Sequence, residues 1–324
     1  MNAAVGLVSS LAQNLRRLTA GGTPKLRPYQ LFDIELKQRI TISPSLTRLV
    51  FTGPAVAFMQ TLAPDQRVKL FFPAADGSLP ALANNGDWHA ARRALPAHRQ
   101  PPMRTYTIRA LRADQGEVDV EFVLHGETGP ASTWATHARV GDRLQMLAPH
   151  RDAQENPGGY EWLPPTGIRR VLLIGDETAL PAIAGILEAL ADLHDGPQVQ
   201  AFIEVPHEGD CQPLRCAPGT QLTWLPRDVI GSLQGEGMLH AARELASLPA
   251  VRPGDGSGKR VRDVDLEKKI LWDTAQSRGN DFYAWVAGES AAVMAIRKHL
   301  INERGLDRKT LTLMGYWKMG RALD

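Results

Sequence analysis

The chain changes its hydrophobic rhythm near its midpoint. Glu117-Val-Asp-Val-Glu-Phe-Val-Leu124 alternates charged and apolar side chains, which places Val118, Val120, Phe122 and Leu124 on one face of an extended strand. Runs of the same kind occur at Phe32 to Arg39, Thr47 to Thr52, Val68 to Phe72, Thr105 to Leu111 and Arg143 to Leu147, parted by Gly, Pro and Asp. Such spacing predicts a small antiparallel barrel, interrupted by one helix over Pro130 to Ala138. From Arg169 onward strand and helix patterns take turns. Val171 to Ile174 leads through Gly175-Asp-Glu-Thr178 into Leu180, Ile183, Leu187 and Leu190, an apolar stripe at helical spacing. The later runs Val199 to Val205, Leu222 to Leu225, Phe282 to Val286 and Leu311 to Met314 are continuous enough for strands buried on both faces of a parallel sheet. A helix before the last strand carries Val293, Ile296 and Leu300 on its inner side, with Ser290 as the expected cap and Gly305 as the stop.

A chain of 324 residues exceeds what one ordinary core supports, so the change of rhythm reads as a domain boundary. The division is an N-terminal extension over 1–27, a barrel domain over 28–150, a linker over 151–167 with Pro157-Gly-Gly159 and Pro164-Pro165, and an α/β domain over 168–324. Ala81 to Pro102 and Pro253 to Lys269 read as insertions, and no internal repeat is present.

Composition narrows the class. At 43% hydrophobic and 22% charged the chain matches a soluble globular protein, and its apolar runs fall short of the about 20 residues that a membrane span needs. Arg16 and Arg17 follow the apolar start with no cleavage signature, so a secretory leader is not expected. Two cysteines, Cys211 and Cys216, are too few for a disulfide framework and lack the partners of a zinc or iron–sulfur site, which points to a reducing, cytoplasmic setting. The net charge is +2, and no basic run is interleaved with aromatics, so small anions are expected as partners rather than nucleic acid. Oligomeric state is not legible.

Candidate chemistry sits in a few segments. Arg104-Thr-Tyr-Thr-Ile-Arg109 lies on an expected strand, with Arg104, Tyr106 and Ile108 on one face and Thr105, Thr107 and Arg109 on the other. A flavin could use such a platform: an aromatic ring to lie against, a hydroxyl for its edge, and a guanidinium for its phosphate. After the alternating strand comes His125-Gly-Glu-Thr-Gly-Pro-Ala-Ser-Thr-Trp134, a turn feeding a helix whose first N–H groups and dipole suit a pyrophosphate. Pro130 fits the first helical position and Ser132 offers a hydroxyl, while Trp134 either packs on a ring or lies under the barrel.

Those two motifs, followed by Gly175-Asp-Glu-Thr-Ala-Leu-Pro-Ala-Ile183, Ala287-Gly-Glu-Ser290 and Gly315-Tyr-Trp-Lys318, resemble the siderophore-interacting proteins, ferric-siderophore reductases of the ferredoxin-NADP reductase-like superfamily. The match runs in order from about Phe32 to the C-terminus. It implies a six-stranded antiparallel FAD-binding barrel followed by a five-stranded parallel α/β nucleotide domain. By motif, Arg104, Tyr106, Thr107, Arg109, His125, Gly129, Ala131, Ser132 and Trp134 are expected around FAD, and Gly175, Asp176, Glu177, Thr178, Gly288 and Glu289 at a nicotinamide nucleotide. No residue is expected to act as proton-transfer catalyst or nucleophile, and no resident metal is expected.

Glu204 near the end of the second parallel strand favours a free ribose 2′-hydroxyl and Arg227 after the third a 2′-phosphate; the resemblance tilts the expected donor to NADPH over NADH. Ferredoxin is an alternative electron partner. The expected acceptor is a ferric siderophore, with Lys69, Lys318 and Arg227 as candidate cations for an anionic complex. Relatives of this type often carry a basic residue after the Gly-Asp-Glu-Thr turn, where this chain has Ala184-Gly185, so substrate charge stays open. Trp317 either stacks near the flavin or covers the last strand. The competing functions are a general NAD(P)H:flavin or ferredoxin-linked reductase and a non-redox siderophore binder.

Overall fold

Strands that bury one face need a partner layer, and closing them on themselves supplies it while leaving no unpaired edge. The computed structural model describes residues 26–83, 87–127, 129–250, 261–276 and 281–321. The expected N-terminal extension lies almost wholly outside them, as does most of the first half of the 253–269 insertion. In the first half β1 (Tyr29–Thr41), β2 (Leu46–Thr52), β3 (Arg67–Phe71), β4 (Met103–Arg112), β5 (Glu117–Val123) and β6 (Arg143–Pro149) close into a barrel in the order β1-β2-β5-β4-β3-β6. Val118, Val120 and Phe122 point inward to meet Phe32, Ile34, Leu36, Leu49 and Leu70, as the alternation requires.

The Ala81–Pro102 segment is more than a loop. It contains α1 (Trp88–Ala94), capped by Asp87, whose side chain accepts from Ala90 N at 2.9 Å. Trp88 meets Phe71 edge-on at 5.3 Å between centroids, so the segment roofs a second apolar cluster of Leu31, Phe71, Leu82, Met103 and Leu147. The helix expected between β5 and β6 is α2 (Pro130–His137).

The second half is a sheet with the order β10-β12-β11-β7-β8-β9. Its parallel strands are β7 (Arg170–Gly175), β8 (Gln198–Val205), β9 (Gln221–Pro226), β11 (Phe282–Glu289) and β12 (Leu311–Trp317). A further two-residue strand, β10 (Trp272–Asp273), pairs antiparallel with β12 and adds an edge beyond the expected parallel set. Around it stand α3 (Leu180–Ala191), α4 (Arg227–Ile230), α5 (Glu236–His240) and α6 (Ser290–Lys298). Residues 261–266, from the end of the second insertion, pack Val261, Val264 and Leu266 on the core beside α6.

One expectation needs correction. Ser290 is the first residue of α6 rather than its cap; β11 runs into the helix, and Glu289 accepts from Ala291 N at 2.6 Å and Ala292 N at 3.1 Å. Ser290 instead donates to Trp317 O at 2.7 Å, which ties α6 to the end of β12.

The halves are joined by buried polar contacts. Asp65, before β3, is fully buried and accepts from Glu161 N and Trp162 N of the 151–167 segment at 2.8 and 2.9 Å, with Trp285 Nε1 of β11 at 3.4 Å. Arg67 pairs with Glu161 at 3.0 Å and lies over the Trp272 ring. Gly185 of α3 packs closely on the barrel, where a Cβ would come within 3.2 Å of Pro64. Among the described residues no helix is long and apolar enough to cross a membrane.

Candidate functional site

At the barrel mouth the chain leaves backbone donors open. Gly129 precedes α2 in an extended conformation, no side chain among the described residues caps the helix, and Pro130 takes the first turn. The first N–H groups of any helix lack intrahelical acceptors, so this start is suited to an anion. A Cβ built at Gly126 or Gly129 meets nothing within 4 Å, which marks open space beside those donors. Gly126 sits at φ 82°, and its carbonyl accepts from the buried Ser132 hydroxyl at 2.6 Å, so Ser132 shapes the turn. Thr128 lies outside the described residues.

The β4 platform borders this mouth. Tyr106 is half-buried, its ring 4.3 Å from that of Phe122, and burial pushes its hydroxyl pKa up. Thr107 is buried, while Arg104 donates to Met103 O at 2.7 Å. Trp134 stays half-exposed and packs near Phe51, Phe72 and Phe122, with centroids 5.6 to 6.4 Å away, so it braces the barrel while keeping an open side. His125 is exposed in the turn.

Arg109, one of the residues expected around FAD, has its guanidinium directed at the α/β half. A register shift follows Ile108, and the Arg109 guanidinium grips Glu188 of α3 with two bonds of 2.9 and 2.5 Å, with Glu121 at 3.6 Å. It latches the barrel to the α/β half. The sequence carried no signal for this partner, 79 residues away.

The C-terminal edge of the parallel sheet is organised around Asp176. Its Oδ1 accepts from Thr178 N at 2.9 Å and Thr178 Oγ1 at 2.5 Å; its Oδ2 accepts from Glu289 N and Trp317 Nε1, both at 2.8 Å. One carboxylate therefore joins the ends of β7, β11 and β12. Burial, with the Glu177 carboxylate beside it, raises Asp176 to about 7, against four donors that favour the charged form. Gly288 makes the arrangement possible: at φ 154° a Cβ would sit 2.7 Å from Asp176 Oδ2. Trp317 thus has its indole N–H engaged at the sheet edge.

Glu177 and Arg227 form a second knot. Arg227 meets Glu177 with two bonds of 2.9 Å and Glu204 at 3.0 Å. Glu204 is fully buried and also accepts from Gly235 N at 2.7 Å and Met238 N at 2.9 Å, so it anchors the start of α5 rather than standing open for a ribose. Arg227, expected as a candidate siderophore cation, donates three hydrogen bonds to these two carboxylates. Lys318 pairs with Glu267, and Lys69 donates to Thr105 Oγ1 at 3.2 Å on the barrel surface.

This geometry fits a flavin dinucleotide on the barrel: open helix donors with glycine space beside them for a diphosphate, and an aromatic platform for a ring. Comparison with known proteins agrees. A model of the siderophore-interacting FAD-binding domain matches residues 35–153, and one of the siderophore-interacting protein matches residues 168–320. An uncharacterized protein of Mycobacterium tuberculosis is 30% identical over 305 residues, covering 91% of this chain and 92% of that one. The ferric vibriobactin reductase ViuB of Vibrio cholerae is 28% identical over 282 residues, with 86% of each chain covered. The crystal structure of a siderophore utilization protein from T. fusca superposes with a TM-score of 0.69 at 28% identity, covering 93% of this chain and 98% of that one.

Proposed function

The chain belongs to the siderophore-interacting protein family, and on that premise we propose that it is an FAD-dependent ferric-siderophore reductase that takes hydride from a reduced nicotinamide nucleotide and releases iron as Fe(II) inside the cell. The observation that carries the reading is the uncapped start of α2, with open space at Gly126 and Gly129, on the barrel that the FAD-binding model matches.

In this reading the first N–H groups of α2 and Arg104 would hold the flavin diphosphate, Tyr106 would offer a face to its ring, and Thr107 would offer a hydrogen bond to its edge. Bound flavin accepts two electrons as hydride and passes them on singly, which a one-electron acceptor such as Fe(III) requires. The protein positions the partners and needs no covalent nucleophile. Gly175, Asp176, Glu177, Thr178, Gly288 and Glu289 shape the nucleotide site at the sheet edge, where open parallel sheets bind ligands. Lys69 collects an anionic iron complex, and Lys318, paired with the exposed Glu267, adds to the field. Reduction lowers the charge on iron and weakens its hold by hard oxygen donors. A cytoplasmic location suits the free thiols of Cys211 and Cys216.

The test is anaerobic mixing of the reduced protein with a panel of ferric siderophores, with Fe(II) trapped by a chromogenic chelator. Rapid trapping with at least one siderophore is expected. Flavin reduction without any iron release would leave a general flavin reductase, and no flavin reduction by either nucleotide would leave a ferredoxin-linked enzyme or a siderophore binder. Lys69→Glu is expected to raise KM for an anionic ferric siderophore about threefold while a neutral dye is reduced as before; equal losses on both acceptors would remove Lys69 from the substrate site.

A further inference from the structure

In classical dinucleotide-binding folds the adenosine ribose lies near the ends of the second parallel strand and its neighbour. An acidic side chain there accepts from a free 2′-hydroxyl, and an arginine there receives a 2′-phosphate. In this chain those ends are the segments after β8 and β9, and residues 204–208 and 225–239 contain Arg227 as their sole Lys or Arg beside Glu204, Glu208, Asp228 and Glu236.

Arg227 is already committed. Its Nη1 donates to Glu177 Oε2 and Glu204 Oε1, and its Nη2 donates to Glu177 Oε1. Glu204 cannot move away, because Gly235 N and Met238 N hold the same carboxylate in a fully buried place. Arginine recognises phosphate best through two parallel N–H bonds, and Glu177 occupies that fork. The knot of one guanidinium and two carboxylates is net negative, and Asp228 adds a further carboxylate next to Arg227, held by His207 Nδ1 at 3.2 Å. Within residues 204–208 and 225–239 a 2′-phosphate would meet this charge with no other Lys or Arg to offset it, whereas a 2′-hydroxyl can donate to the exposed Asp228 carboxylate.

We propose that this chain prefers NADH to NADPH, and that Glu177 sets the preference by occupying Arg227. The proposal rests on the reductase reading above and reverses the donor that the sequence resemblance implied. Glu177 acts here through Arg227, as a specificity-determining residue.

Binding and turnover together test it. Calorimetry on the full-length, FAD-loaded protein compares AMP with adenosine 2′,5′-bisphosphate, which differ at the contested position. Wild type is expected to bind AMP more tightly, and to show a higher kcat/KM with NADH. Glu177→Gln is expected to tighten the bisphosphate about tenfold while AMP changes far less, and to move the NADH-to-NADPH ratio of kcat/KM by a similar factor. Asp228→Asn, at a half-exposed position that leaves the knot intact, is expected to shift both readouts in the same direction by about threefold and covers the case in which Glu177→Gln fails to fold. Tighter bisphosphate binding by wild type, no binding of either analogue, or two variants that leave the ratio unmoved would each overturn the proposal. Failure of the reductase reading looks different: nucleotide preference would persist with no iron released from any siderophore.

Discussion

The barrel mouth and the C-terminal edge of the parallel sheet handle charge in opposite ways. At the mouth, α2 begins without a side-chain cap and glycine leaves space in front of its donors. At the sheet edge, the Asp176 carboxylate gathers four donors and the Glu177–Arg227–Glu204 knot closes on itself. A region built this way at the mouth gains from an anion brought by a ligand. One built as at the edge satisfies its own charges and holds three strand ends in fixed relation. The barrel half thus leaves a helix start to meet an incoming charge, whereas the α/β half pairs its charges internally.

The most damaging way to break this contrast is at Gly288. An alanine there would carry its Cβ into Asp176 Oδ2 in a backbone region that L side chains avoid, so Gly288→Ala is expected to cost about 3 kcal/mol. Thermal or urea unfolding reads the loss; an unchanged midpoint would mean that the Asp176 junction yields easily.

A pH scan sharpens the same side with a smaller effect. Asp176 is raised in the folded protein to about 7 from the ordinary value of 3.8. A raised acid makes its stabilising contribution below the unfolded pKa and loses it as pH climbs through the folded one. Stability is accordingly expected to fall between about pH 4 and pH 7 by an amount that Asp176→Asn abolishes, measured as urea midpoints across that window. Identical slopes for the two proteins would assign the pH dependence elsewhere.

The mildest change targets the mouth. Gly129→Asp supplies the missing cap and is expected to stabilise the fold by about 0.3 kcal/mol. The same carboxylate occupies the place of a diphosphate, so FAD affinity is expected to drop about tenfold in a fluorescence titration. A substitution that raises stability while lowering cofactor affinity separates a ligand-binding helix start from a merely structural one; unchanged affinity would place the diphosphate elsewhere.

The barrel and the βα grammar were legible because periodicity is local: Glu117 to Leu124 alternates in plain sight, and Gly175 to Leu190 carries both turn and stripe. Short or surface-lying elements were not. Helix α1 buries no residue completely and so writes no apolar stripe, and β10 spans two residues that pair only because β12 is already in place. The Asp176 residue was legible by motif, but its partners Glu289 and Trp317 lie 113 and 141 residues away, and no spacing rule reaches that far. Arg227 shows the same limit in reverse. Its position after β9 advertised a phosphate site, and the acids that cancel it became visible only once β7, β8 and β9 were set side by side.

The most direct test of the account is the uptake of FAD by the flavin-stripped chain, followed by absorbance and by quenching of protein fluorescence. One equivalent of FAD bound, giving a yellow protein that reduced nicotinamide nucleotide bleaches, is the predicted result. A chain that stays colourless through gentle purification and takes up no added FAD would contradict it.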